Sequence, residues 1–460
     1  VIPYYATPDG KVTLYAGHVI DVLREMPAES VNCVVTSPPY WSLRKYDCEP
    51  VVWGGDSACE HEWIEKAADL EVYRAKGRWQ HGLTRAPEAY AEGTTRDLTS
   101  VADPNWARIS TQGATCRLCG AWLGQYGLEP TPELYVEHTL MWLREVRRVL
   151  RKDGTLWLNM GDGYAGSGQG QSDEKPGAKQ ATNSGSVHGL SGTRHGNGLK
   201  PKDAVLMPFR VALAAQADGW WVRSVIIWAK PNPMPESVRD RPTDAHEYIF
   251  LLTRSKNYWY DADAVREEAQ GRECTGEREV PILAYPGEHQ AYSRGASGFG
   301  NNPNGRNCRS VWQFPTEPFP DAHFAVFPRE LPERCIKAGC PEWVCPKCGK
   351  ARTRVTEKTY SPTSRTPAPN KGRLGAPGER AANMTRDGFV PNRDPSIETL
   401  GWTDCGCGEP FIGGVVLDPF VGSGTTCEVA YHLGRTAIGI DASAKYLDMA
   451  IGRVKQGALL

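Results

Sequence analysis

"GGVVLDPFVGSGTTCEVAYHLGRTAIGIDASAKYLDMAIGRV" (Gly413–Val454) is the stretch whose reading decides the fold. An apolar strand runs into a loop holding Gly422 and Gly424, then a helix, a second strand ("TAIGI"), an acid at Asp441 and a further helix. Strands alternating with helices imply a parallel sheet covered on both faces. Glycine permits a tight turn and close approach of backbone to a ligand. An acid about twenty residues past such a loop is placed to bond ribose hydroxyls.

The loop lacks the lysine of a phosphate-binding loop and the full dinucleotide fingerprint. "DPFVGSG" therefore suits a nucleoside without a pyrophosphate, and S-adenosylmethionine is such a ligand. The expected cofactor residues here are Asp418, Pro419, Phe420, Gly422, Ser423, Gly424, Thr425, Thr426 and Asp441.

Near the other end, "VNCVVTS" (Val31–Ser37) reads as a buried strand that stops at Pro38-Pro39, followed by Tyr40. Neither proline donates a backbone hydrogen bond, so the strand ends there. Taken together, "TSPPY" and "DPFVGSGTT" resemble the amino-methyltransferases of DNA, in the order of their β group, with the catalytic motif first and the cofactor loop last. "GTLWLNMGDGY", "KDAVLMPFRVAL", "WAKPNPMPESVRDRPTDAHEYIFLLTRS" and "FPRELPERCIKAGC" resemble further blocks of that family. The resemblance implies a Rossmann-like α/β sheet, mostly parallel with helices on both faces, circularly permuted. It adds Phe327 and Thr36 to the expected cofactor site. Where the family usually has Gly-Asp, "AGHVID" has His18, which is expected to meet the cofactor adenine unless Asp21 compensates.

An exocyclic amine of cytosine or adenine is a poor nucleophile, because its lone pair is delocalised into the ring. A hydroxyl and a backbone carbonyl that hold its two N–H bonds favour a tetrahedral nitrogen and stabilise charge developing in the transition state. Ser37 and Pro38 can supply these groups, Pro38 and Pro39 pre-set the backbone, and Tyr40 can stack on a base flipped out of the duplex. Cytosine C5 chemistry needs a cysteine nucleophile, usually in a Pro-Cys pair, and the chain has no such dipeptide. In the family serine at the first motif position is commoner with cytosine N4 and aspartate with adenine N6, so Ser37 favours cytosine and leaves adenine as the alternative.

The chain contains 14 cysteines. Two groups have metal-ligand spacing: Cys345 and Cys348 with Cys405 and Cys407, and Cys59 and His61 with Cys116 and Cys119. Each reads as a closed, structural tetrahedral zinc site, and the second explains how residues 43–125 order as an insertion without a core of their own. Residues 351–393 carry nine Arg/Lys against three acids, about +6 locally, which suits contact with phosphates. Arg239, Arg241, Arg294, Arg306 and Arg309 are the candidate DNA contacts, since arginine reads phosphates and guanine edges.

The 460 residues and net charge of -1 describe a globular chain whose nucleic-acid binding must rest on local patches. No stretch is apolar enough to span a membrane, no leader opens the chain, and a cytoplasmic protein of bacterial or phage origin is expected. Catalytic core is read at 1–42, 126–164 and 201–265, a Gly/Ser-rich flexible loop at 165–200, and a target-recognition region at 266–322. A cofactor-pocket helix is read at 323–344, a zinc knuckle with its basic loop at 345–410, and the cofactor-binding core at 411–460. Within these, "TLWLNM" and "YWYD" read as strands, and Gly154 as the end of the helix beginning at Pro132. Duplex DNA is the expected partner, and a homodimer and a cognate restriction enzyme on a separate chain are compatible with the resemblance. Two other classes compete: a catalytically silent zinc protein that binds DNA, and a methyltransferase of RNA or protein.

Overall fold

The computed structural model describes all residues except 1, 44–45, 47, 65–112, 166–198, 201, 269–304, 318–325, 360–395 and 458–460. The expected flexible loop therefore lies almost wholly outside the described residues, as do Arg294 and most of the basic stretch at 351–393.

The described chain begins with β1 (Tyr5–Ala6), β2 (Val12–Ala16), α1 (Val19–Glu25) and β3 (Val31–Thr36). Next come β4 (Val51–Trp53), β5 (Trp63–Ile64), β6 (Gly113–Cys116), β7 (Trp122–Gly124), α2 (Pro132–Val149) and β8 (Leu150–Met160). After α3 (Met207–Ala217), β9 (Trp221–Ala229), β10 (His246–Thr253) and β11 (Val311–Gln313) comes α4 (Glu330–Gly339). The chain closes with β12 (Arg354–Thr359), β13 (Ser396–Trp402), β14 (Val415–Asp418), α5 (Thr425–His432), β15 (Thr436–Asp441) and α6 (Ala444–Gly457).

Nine strands form one sheet in the order β1-β2-β15-β14-β3-β8-β10-β9-β11. The run from β2 to β8 is parallel, and β10 is antiparallel to both β8 and β9. All six residues of β3 are buried, as expected of a strand inside a parallel sheet. Helices α1, α2 and α3 pack in series, and α4, α5 and α6 form a second series. A sheet whose strands are apolar on both faces needs two such covers.

Three local expectations are corrected. The helix after Thr131 starts as its signals require: Thr131 accepts from the Leu134 amide at 3.2 Å, and Pro132 follows. It ends at Val149, though, not at Gly154. Leu150 satisfies the helical spacing but pairs with Val31 in the sheet, and Gly154 sits inside β8 where the register with β3 shifts. Tyr258–Asp261 is not a strand: the Trp259 amide donates to the Asp153 carbonyl, and the two tyrosine rings meet edge to face.

Nor do the described residues of the 43–125 segment all stand apart from the core. β4–β7 form a small four-stranded sheet, but Trp53, Trp122 and Tyr126 are buried in the main apolar cluster with Trp142 and Leu143. Tryptophan and tyrosine carry enough apolar surface to join that core without helical or strand periodicity announcing it.

The chain divides into two compact units, residues 1–260, 310–343 and 412–460 in one, and 261–309 with 344–411 in the other. The second unit draws on segments read as separate from sequence, the recognition region and the zinc knuckle. Its described regular structure is the antiparallel pair β12–β13. Among the described residues no helix is long and apolar enough to cross a membrane.

Candidate active site

In the larger unit β2, β15, β14 and β3 are parallel neighbours, so their carboxyl ends lie along one edge of the sheet. Ligands of open α/β sheets bind at that edge. A cavity of about 210 Å³ opens there. β3 delivers Ser37, Pro38, Pro39 and Tyr40 to its wall; the chain after β14 delivers Pro419, Phe420, Gly422, Ser423 and Thr425; Asp441, His18 and Phe327 complete it. The two motifs that carry the sequence reading thus share one cavity, although nearly four hundred residues separate them.

The loop is held from two sides. Gly422 and Gly424 adopt φ of +50° and +87°, which glycine takes without the steric cost a Cβ brings. A Cβ at Gly424 would also lie 2.7 Å from the Ala450 Cβ of α6. Asp441 accepts from the Gly422 amide at 3.0 Å and the Ser443 amide at 2.8 Å. Its carboxyl, pushed up to about 6 by burial and restrained by these amides, keeps lone pairs for a ligand's hydroxyls.

Asp418 has a different place. It is buried beneath the loop and does not line the cavity. It accepts from the hydroxyls of Thr36 and Thr426, both at 2.7 Å, and from the Phe420 amide at 3.0 Å. Burial raises its carboxyl to about 6. Thr36, Thr426 and Gly424 likewise do not line the cavity. Asp418, Thr36 and Thr426 are joined to one another behind the loop, next to the cavity wall rather than in it.

His18 faces the cavity beside Trp53, rings 4.6 Å apart and edge to face. Its Nδ1 lies 3.6 Å from Asp21, and its Nε2 is buried with no hydrogen-bond partner. Burial lowers its basicity, so the ring presents an uncharged edge. An orphaned ring nitrogen in a cavity walled by Trp53, Tyr126 and Phe420 fits a heteroaromatic base. Together with Asp441, these residues fit the adenosine of S-adenosylmethionine. Trp53, Tyr126, Tyr446 and Met449 line the same cavity; none belongs to a motif, and Tyr446 and Met449 read in sequence only as positions along the last helix.

At the catalytic motif, the Pro39 carbonyl accepts from the Tyr135 hydroxyl at 2.9 Å, and Pro38 lies on the cavity wall. Ser37 Oγ donates to Tyr40 Oη at 3.1 Å, and Tyr40 donates to Glu247 Oε2 at 2.7 Å. Asn159 Nδ2 donates to Tyr40 Oη at 2.9 Å and to Glu247 Oε2 at 2.8 Å, and Lys230 pairs with the other carboxylate oxygen. Gly161 makes room for the tyrosine: a Cβ there would stand 2.7 Å from its ring. Lys230 and Glu247 lie inside one block quoted above for its resemblance, which gives neither side chain a role.

Both cysteine groups assemble. The ligand atoms of Cys59, His61, Cys116 and Cys119 lie within 4.8 Å of one another, as do those of Cys345, Cys348, Cys405 and Cys407. Tetrahedral zinc with Zn–S bonds of ~2.3 Å sets sulfurs about 3.8 Å apart. Cys59 and Cys116 Sγ are 3.8 Å apart, and Cys119 Sγ is 3.4 Å from His61 Nδ1. Donor type, number and spacing fit zinc at both places.

The candidate DNA-contacting arginines differ in their partners, and Arg294 lies outside the described residues. Arg241 is pinned by Glu236 at 2.9 Å and stacks 3.8 Å above the Tyr164 ring, so it fixes its own loop. Arg306 and Arg309 share Glu267, at 3.0 and 2.8 Å. Arg239 is exposed.

Fold, loop and motif together define a nucleoside-binding group-transfer enzyme. Residues 31–343 and 408–452 match the DNA methylase family of N6 and N4 methyltransferases, and the chain belongs to that family. The resemblance to the DNA amino-methyltransferases is borne out, and with it an α/β methyltransferase fold. The chain is 29% identical to the Type II methyltransferase M.Cfr9I of Citrobacter freundii over 96% of this chain and 87% of that one. It is 33% identical to M.XycI of Xanthomonas campestris pv. cyanopsidis, over 71% of this chain and 72% of that one. It is also 33% identical to M.SmaI of Serratia marcescens, over 72% and 77% respectively.

Proposed function

We propose that the chain transfers a methyl group from S-adenosylmethionine to the exocyclic N4 of a cytosine flipped out of duplex DNA at a specific sequence. The observation that carries this reading is the shared cavity: a hydroxyl, a prolyl carbonyl and an aromatic ring on one wall, a nucleoside-fitting loop on the other. The cofactor supplies an electrophilic methyl on a sulfonium. Ser37 Oγ and the Pro38 carbonyl accept the two N–H bonds of the amine, which turns its lone pair out of conjugation and toward the methyl. Tyr40 offers a face for the flipped base. Ser37 in place of aspartate supports cytosine over adenine.

The motif order, catalytic first, supports the permuted arrangement of the family's β group. The Type II names of the relatives support a modification role beside a separate restriction enzyme, in the cytoplasm. Zinc at the two clusters would hold the small β4–β7 sheet and the base of β12–β13 by closed, four-ligand coordination.

The test is to incubate the protein with S-adenosylmethionine and a mixed genomic duplex DNA, then digest it and identify nucleosides by mass spectrometry. N4-methylcytosine is expected. N6-methyladenine would keep the chemistry and reverse the base, and full activity in Ser37→Ala would overturn the mechanism.

A further inference from the structure

We propose that Glu247 is the terminal proton acceptor of the methyl transfer, reached from the amine through the hydroxyls of Ser37 and Tyr40. The inference rests on the reading above, in which Ser37 holds the amine.

The geometry has a direction. Tyr40 Oη accepts from Ser37 Oγ at 3.1 Å and from Asn159 Nδ2 at 2.9 Å. Both lone pairs of the phenol oxygen are then occupied, so its hydrogen must point to Glu247 Oε2, 2.7 Å away. Ser37's own hydrogen is likewise committed to Tyr40; Asn159 Nδ2 approaches its oxygen only at 3.5 Å, so a lone pair is left for the cavity. Lys230 on Oε1 and Asn159 on Oε2 hold the Glu247 carboxylate in place against the phenol. Burial, with Glu247 nearby, keeps Tyr40 protonated, so the phenol is a carrier and not a resting base.

The chemistry balances along this line. When the nitrogen lone pair bonds the methyl carbon, the C–S pair goes to sulfur and the nitrogen becomes positive. Its N–H bond then breaks toward Ser37 Oγ, whose hydrogen passes to Tyr40, whose hydrogen passes to Glu247. One N–H and two O–H bonds break and three O–H bonds form. The amine ends neutral and the carboxylate ends as a carboxylic acid. Glu247 keeps 13% of its side-chain surface exposed, a route for the proton to reach water. Before any proton moves, the negative end of the chain polarises both hydroxyls and strengthens Ser37 as an acceptor while nitrogen gains charge.

Glu247 and Lys230 lie outside the Ser-Pro-Pro-Tyr motif. A serine hydroxyl is a weak base by itself, and this arrangement gives it the carboxylate it lacks.

The experiment is single-turnover methylation at saturating S-adenosylmethionine and DNA, with wild type, Glu247→Gln, Tyr40→Phe, Glu247→Asp and the Glu247→Gln/Tyr40→Phe double variant. Gln still accepts the tyrosine hydrogen bond but cannot take a proton; Phe keeps the stacking ring but cuts the chain. Each is expected to slow transfer about 100-fold or more, the usual scale of general-base loss, with cofactor and DNA affinities unchanged. Glu247→Asp should recover part of the rate. The double variant should be no slower than either single one, because members of one relay are lost together. Wild-type rate in Glu247→Gln or in Tyr40→Phe, or losses that multiply in the double variant, would overturn the relay while leaving the proposed function intact. Full rate in Ser37→Ala, or no methylated base from wild type, would instead remove the reading on which the relay stands.

Discussion

Replacing Asp418 with alanine should unfold the protein more easily without weakening its grip on the cofactor. The carboxylate accepts three hydrogen bonds in a dry site, from Thr36, Thr426 and the Phe420 amide. Alanine leaves three buried donors, and each unsatisfied donor costs about 1–3 kcal/mol. The Val35 carbonyl, 3.5 Å from Thr426 Oγ1, relieves one of them in part. The loss is then on the order of 4 kcal/mol at pH 8, where the group is ionised, and larger at pH 5; this is a large fraction of the roughly 5–15 kcal/mol that holds a domain together. It should shrink as pH rises. A carboxyl raised to about 6 in the folded state stabilises the fold fully below its unfolded pKa and loses that contribution as pH climbs through 6. Between pH 5 and 8 wild type should give up about 1.4 kcal/mol from this group, and the alanine variant nothing. Urea melts at both pH values measure the stability, and calorimetric titration of the folded variant with S-adenosylmethionine measures binding. Unchanged stability with weakened binding would refute the bracing role and put Asp418 in contact with the cofactor. Parallel pH dependence in the two proteins would refute the titration argument.

Asp441 should make cofactor binding pH-dependent in the opposite sense: only its ionised form accepts well from ribose hydroxyls, so S-adenosylmethionine affinity should fall below pH 6, by up to about tenfold per pH unit. Asp441→Asn should abolish that slope in the same titration. Gly424→Ala, at φ +87° and with its Cβ against Ala450, should cost about 1–3 kcal/mol in urea melts. Gly422→Ala, which meets no atom within 4 Å, should cost less. Elemental analysis should find about two zinc per chain, and about one in Cys116→Ser, as expected of two closed four-ligand sites; no zinc in wild type would remove the coordination argument.

The C-terminal block was legible because every local signal agreed: apolar strand, left-handed glycines, helix, strand and acid each fell where the sheet needs them. Ser37 to Tyr40 was legible for a similar reason, since two prolines leave a strand few ways to end. The helix end at Val149 was not, because Leu150 satisfies both helical spacing and strand pairing, and only Val31, far away in sequence, decides between them. Trp53 and Trp122 were hidden because a single large side chain can join a core from any backbone. Glu247 and Asp418 show the same limit at the site. Whether a carboxylate faces a cavity, a threonine or a tyrosine depends on which strands become neighbours, and that is a property of the sheet and not of the segment.

The adjacency of β3 and β14 bears on when the enzyme comes into being. Thr36 and Asp418 touch across 382 positions of chain, so the wall carrying Ser37 waits for the wall carrying the glycine loop. At roughly 5–20 residues per second of synthesis, that wait lasts about 20–80 s. Throughout it the nascent chain holds a complete catalytic motif whose strand has β8 on one side but not β14 on the other. Premature fragments should therefore be inert toward DNA, and competence should appear late and all at once, when β14 inserts between β3 and β15.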